Sequence, residues 1–254
     1  MSASAHEILQ ELDRLLVPQR FKDYCHNGLQ VPGASTVNAI ATGVSAHAEL
    51  FERATAERVE LLLVHHGLFW GSGLKAIDAT HKRRLRILFE AEIGLAAYHL
   101  PLDAHPEVGN NALLARALGA QEFRSFALHE GEPIGALARL PGDGLPAAEL
   151  FARVRELLAR EPLVFDSGPD RVRLLAIVSG AGNDYLADAA AAGADAFLTG
   201  EPAERVMAEA REAELHFIAA GHYATETLGI RRVGEHLAKR FALRHVFLDV
   251  PNPV

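Results

Sequence analysis

A chain of 254 residues, almost half of them hydrophobic, carries enough apolar material for one large domain or two modest ones. Its net charge of −8 with His neutral argues against general nucleic-acid affinity, which needs basic surface to displace counterions. The only cysteine is Cys25, which excludes an intrachain disulfide and suits a reducing cytoplasm. No apolar run reaches the ~20 residues of a membrane span, and residues 1–16 lack the continuous apolar stretch of a signal peptide.

In chain order, residues 4–16 predict an amphipathic helix with Ile8, Leu9, Leu12, Leu15 and Leu16 on one face, ended by Pro18. A turn-rich segment follows around Asn27-Gly28. Residues 38–44 predict a strand, 46–58 a helix, 60–64 a buried strand, 82–92 a basic amphipathic helix and 93–98 another strand. Asn111 is placed to cap a helix over 112–118. Residues 123–140 predict two strands around the turn Glu130-Gly131-Glu132-Pro133. Helices are then expected at 147–159, 185–192, 203–213 and 227–240, with strands near 163–165 and at 173–178, 196–199, 215–219 and 245–250.

Strand–helix–strand units recur. Residues 42–67 and 177–201 have similar length, and each places polar, ligand-capable groups at strand ends. The expected architecture is therefore α/β, with two similar α/β lobes of mixed sheets flanked by helices. Residues 1–125 with 222–254 would form the first lobe and residues 126–221 the second.

Three clusters carry the chemistry. In Leu61-Leu62-Leu63-Val64-His65-His66-Gly67 an apolar strand ends in two histidines, and open α/β sheets place ligands at such carboxyl ends. Neighbours on a strand point to opposite faces, but a bend at Gly67 would let the pair serve one ion each. In Gly221-His222-Tyr223-Ala224-Thr225-Glu226, His222 and Glu226 have the spacing that shares one helix face, although a helix cap with a solvated Glu fits that spacing equally well. In His99-Leu100-Pro101-Leu102-Asp103, Asp103 suits a hard divalent ion, and His99 is either a further ligand or a group that orients one. By itself this third cluster reads more simply as a polar loop.

Taken together, these donors are too many for one closed zinc site and suit two ions sharing a carboxylate. Two ions about 3.5–4 Å apart lower the pKa of a shared water and generate a hydroxide nucleophile. Glu201, after Thr199-Gly200, is the candidate general acid or base, with helix-start charge the plain alternative. The turn Ser179-Gly180-Ala181-Gly182 lacks nucleotide-binding spacing and reads as a tight turn. Trp70 and Phe69 are the aromatics available to stack on a flat substrate, though core or interface packing is commoner.

These segments resemble the Nif-three-like family, some of whose members are labelled GTP cyclohydrolase 1 type 2 homologue. The resemblance is carried by Phe21-Lys22-Asp23-Tyr24, Asn27-Gly28-Leu29-Gln30-Val31, Val64-His65-His66-Gly67 with Phe69-Trp70, His99 to Asp103, Asp195 to Glu201, and Gly221 to Glu226. It implies His65, His66, Asp103, His222 and Glu226 as ligands of two divalent ions per subunit, a toroidal homohexamer built as a trimer of dimers, and a compact form without the mid-chain insert of longer relatives. Histidine and carboxylate donors admit zinc, iron, manganese or nickel. The expected function is hydrolysis of a small nucleotide-like or heterocyclic substrate in the cytoplasm. A non-enzymatic metal-handling or partner-binding ring is the alternative. No membrane partner is expected, and nucleic acid is disfavoured.

Overall fold

The structure, a computed structural model, describes residues 2–71 and 76–254. The chain divides into two compact units: Met1–Leu102 with Gly229–Val250, and Asp103–Leu228 with Pro251–Val254.

The first unit is built on a five-stranded sheet in the order Arg244–Phe247, Ala39–Ser45, Leu61–His66, Gly94–Ala97, Gly28–Val31. The first four strands are parallel and the last is antiparallel. Leu61–Val64 is an unbroken aliphatic run because this strand is covered on both faces; all four residues are buried. Leu62 and Val64 pack with Leu50, Phe51, Leu88 and Leu95 in one core. The register pairs Ser45 with His66, so the two histidines close a central strand at its carboxyl end.

Local chemistry sets the helix limits here. Ser4 caps the helix Ala5–Leu16 in a reciprocal box with Glu7, and Val17 leaves it in a left-handed conformation before Pro18. The basic helix runs Ala79–Glu90, starting three residues earlier than its apolar spacing indicates, because the Asp78 carboxylate accepts from the His81 N–H. The Gly28–Val31 strand departs from the turn that its residues predict. Gly28, at φ +100°, redirects the chain, and the following residues pair with Gly94–Ala97.

The second unit holds a six-stranded sheet in the order Leu163–Phe165, His216–Ala219, Ala196–Thr199, Leu174–Val178, Glu132–Arg139, Glu122–His129. Strands Leu174–Val178, Ala196–Thr199 and His216–Ala219 are mutually parallel, and the others are antiparallel to their neighbours. Val178 pairs with Thr199 and Thr199 with Ala219, so the three parallel strands end level. Leu175, Ile177, Leu198 and Ile218 form its core with Leu114 and Leu150. Both sheets are mixed and flanked by helices, the architecture read from the sequence.

Asn111 is not the cap expected of it. The helix is Asn110–Ala117, with Gly109 at its N-cap. The Asn111 side chain is buried, donates to the Ile134 carbonyl at 2.7 Å and accepts from the Ser179 N–H at 2.8 Å. Among the described residues, no helix is long and apolar enough to cross a membrane.

Candidate metal centre

In the first unit, donor atoms of His65, His66 and His99 lie within 4.8 Å of one another. His65 and His66 are neighbours on a strand, yet their ring centroids are only 4.6 Å apart. Each ring is held by the strand on its own side. His65 Nδ1 is 3.0 Å from the carbonyl of Tyr98, which follows the Gly94–Ala97 strand. His66 Nδ1 is 3.0 Å from Oγ of Ser45, at the end of the Ala39–Ser45 strand. A carbonyl can only accept, so His65 carries its proton on Nδ1, and Nε2 is the nitrogen chemically able to coordinate. His99 donates from Nδ1 to Asp23 at 2.9 Å, which prepares its Nε2 in the same way.

The glycine after the pair acts differently from the expected hinge. Gly67 lies outside the left-handed region, and a Cβ there would come within 2.2 Å of Gln30 Nε2. Gln30 needs that space, because its Oε1 accepts from the Leu68 N–H at 2.7 Å and its Nε2 donates to the His26 carbonyl at 2.7 Å. Beside the histidines stand two exposed rings. Tyr24 and Trp70 are 5.6 Å apart, and each is 5.2 Å from the His99 ring. Phe69 instead packs against the core.

In the second unit, Asp103 closes a helical turn, Leu100–Asp103, where a loop was expected. Its buried Oδ1 accepts from Asn110 Nδ2 at 2.8 Å and from Ser179 Oγ at 3.0 Å. Carboxylate oxygens of Asp103 and the buried Glu226 lie within 4.8 Å of each other. His222 opens the turn His222–Thr225, and Glu226 follows it as the C-cap. This keeps His222 Nε2 3.2 Å from Glu226 Oε2, so the pair meets in a single turn rather than along a full helix. His222 Nδ1 donates to Glu201. Burial pushes the His222 imidazole down, but the bonds and charge of Glu226 and Glu201 outweigh it, and its pKa is raised to about 9.

Gly180 completes this cradle. At φ +64° it takes a conformation that glycine tolerates, and a Cβ there would sit 2.2 Å from Glu226 Oε1 and 3.1 Å from His222 Nε2. The amides of this turn are already used. Ser179 N–H bonds Asn111, Gly180 N–H bonds Thr225 Oγ1, and Gly182 N–H bonds Thr199 Oγ1. The turn is therefore structural and offers no phosphate cradle through these three amides.

Two close buried carboxylates with an anchored imidazole, and three anchored imidazoles, are donor sets suited to borderline divalent cations. The family model of Duf34/NIF3 (NGG1p interacting factor 3) matches residues 3–253. The chain belongs to that family. A Duf34/NIF3 relative from Pseudomonas aeruginosa, named GTP cyclohydrolase 1 type 2 homolog, is 43% identical over the full length of both chains. Among solved structures, protein ybgI, described as of unknown function, superposes with a TM-score of 0.92 at 40% identity, covering 99% of this chain and 100% of that one. TTHA1606 from Thermus thermophilus superposes at 0.91 with 41% identity and the same coverage.

Residues that support the centre escaped the sequence reading. Asp23, Asn27, Gln30, Ser45 and Asn110 are ordinary polar residues in turns, strand ends and a helix start. Asn27 Oδ1 accepts from the His99 N–H, and Asp23 Oδ2 from the Leu100 N–H. The one signal for Asp23, Asn27 and Gln30 was their place in the segments that carry the family resemblance.

Proposed function

We propose that this Duf34/NIF3 protein binds two divalent ions per subunit through His65, His66, Asp103, His222 and Glu226, and uses them to hydrolyse a small nucleotide-like or heterocyclic substrate in the cytoplasm. The observation that carries this reading is the anchoring of the donors. His65, His66 and His222 each commit Nδ1 to a neighbouring oxygen, and Asp103 is held by Asn110 and Ser179. Fixed rings and carboxylates are what a metal site needs, because orienting partners set tautomer and aim. Bound there, the ions supply Lewis-acid activation of water.

The chain's own groups have distinct roles. Glu201 acts through His222, holding its Nδ1 proton so that Nε2 coordinates, and relays a proton only by way of that ring. Tyr24 and Trp70 form the wall on which a planar ring stacks, which favours a heterocycle over an open-chain substrate. The name carried by the Pseudomonas relative is in keeping with a purine-like substrate. A homohexameric ring belongs to the same proposal, and light scattering tests it as a mass six times the 27.4 kDa chain.

The decisive experiment loads the protein with zinc, iron, manganese or nickel and assays a panel of nucleotides and heterocycles. A His65→Ala/His66→Ala variant serves as control. Turnover by the wild type and loss in the variant is the expected result. Equal activity in both removes the hydrolytic mechanism. Two bound ions with no turnover leave the metal-handling alternative, which exchange of the bound ions with a chelator would support.

A further inference from the structure

A cleft of about 570 Å³ opens in the first unit between two helix starts. It is lined by His47, Ala48 and Glu49 at the beginning of the helix Ala48–Ala56, and by Ala79, Thr80, Arg83 and Arg84 on the helix Ala79–Glu90. Both helices follow strands of the parallel sheet, Ala39–Ser45 and Leu61–His66. None of its lining residues belongs to the metal centre proposed above.

Its lining is predominantly basic, with Arg83 and Arg84 against Glu49. Arg83 is exposed and Arg84 half-buried, and among the described residues neither guanidinium is paired with a carboxylate. The carboxylates nearby are already occupied: Glu49 is bound by Arg53 at 2.6 Å, and Asp78 by the His81 N–H and ring at 2.7 and 2.8 Å. His47 Nδ1 accepts from the Leu50 N–H at 3.3 Å, so its proton sits on Nε2 as a donor. Two helix dipoles add positive potential at their N-terminal ends. The volume is that of a small-molecule site.

We propose that this cleft binds the phosphate groups of a small phosphorylated ligand. Two arginines lining one cleft suit a multiply charged tetrahedral oxyanion better than a single carboxylate. The acidic chain as a whole favours a small ligand over a nucleic-acid strand. The proposal stands on the cleft's own groups and does not depend on metal binding.

Calorimetric titration of the EDTA-treated full chain with pyrophosphate and with a nucleoside diphosphate tests it, since metal-bound phosphate is then excluded. One saturable site per chain is expected. Arg83→Ala/Arg84→Ala should weaken it at least tenfold, Arg83→Lys/Arg84→Lys should retain part of it, and His65→Ala/His66→Ala should leave it intact. Matching circular dichroism spectra confirm that the variants fold; if the double variant does not, the exposed Arg83→Gln is read instead. No binding to the metal-stripped chain, binding indifferent to the arginines, or binding of a single-stranded oligonucleotide alone would each overturn the proposal.

Discussion

Asp23 and His99, 76 residues apart in sequence, are joined by a hydrogen bond of 2.9 Å from Nδ1 to Oδ1. Both side chains are almost fully buried. Burial pushes the Asp23 carboxyl up. The bond and charge of His99, the Cys25 N–H and the Asn27 amide outweigh that, and the pKa falls to about 2.

The shift makes Asp23 a source of acid sensitivity. Its folded pKa lies below the ordinary 3.8, so its contribution is complete above about pH 4 and is lost as pH falls from there toward 2. The lowering from 3.8 to about 2 corresponds to about 2–3 kcal/mol. Urea unfolding from pH 2.5 to pH 7 should show this loss in the wild type. In Asp23→Asn the neutral-pH stability should be lower by a similar amount, and the slope in that window shallower. An unchanged slope would remove the assigned role.

Glu201→Gln keeps the shape of the side chain but removes the charge that holds His222 Nδ1. Divalent-ion affinity, measured by competition with a chromophoric chelator, should fall about 10–100-fold without loss of fold. Affinity equal to wild type would mean that Glu201 does not act through His222.

Gly180→Ala tests the cradle under Glu226. The added carbon meets Glu226 Oε1 at 2.2 Å and must also hold φ at +64°. The backbone alone costs about 1–2 kcal/mol. Displacement of Glu226 should lower ion stoichiometry or affinity beyond that, read by metal analysis after dialysis. A variant with wild-type metal content would show that Glu226 has another place to go.

Cys25 is buried, and burial pushes its thiol up to about 11; the Gly67 amide opposes this, and the Asp23 charge adds to it more weakly. At pH 8 the native thiol should react with a disulfide reagent at least tenfold more slowly than the thiol exposed in guanidinium. Rapid native labelling would show that this part of the first unit opens readily.

The sequence by itself determined the elements and their class. Leu61-Leu62-Leu63-Val64 and Leu174-Leu175-Ala176-Ile177-Val178 are uninterrupted apolar runs of strand length, and runs of that kind belong to covered parallel sheets. Their spacing by amphipathic helices made the α/β architecture legible. Histidines and carboxylates directly after such runs marked the candidate centre, because a strand end is where a polar group leaves the sheet. What those residues are held by was decided only by tertiary structure. The Ser45 and Tyr98 anchors of His66 and His65 come from flanking strands through register, and Asp23 reaches His99 from a segment that reads as a turn. Hydrogen bonds between side chains far apart in sequence leave no periodicity, so Asn111 looked like a helix cap and Gly67 like a hinge. The folded chain instead makes Asn111 a buried tie to Ser179 and Gly67 a seat for Gln30.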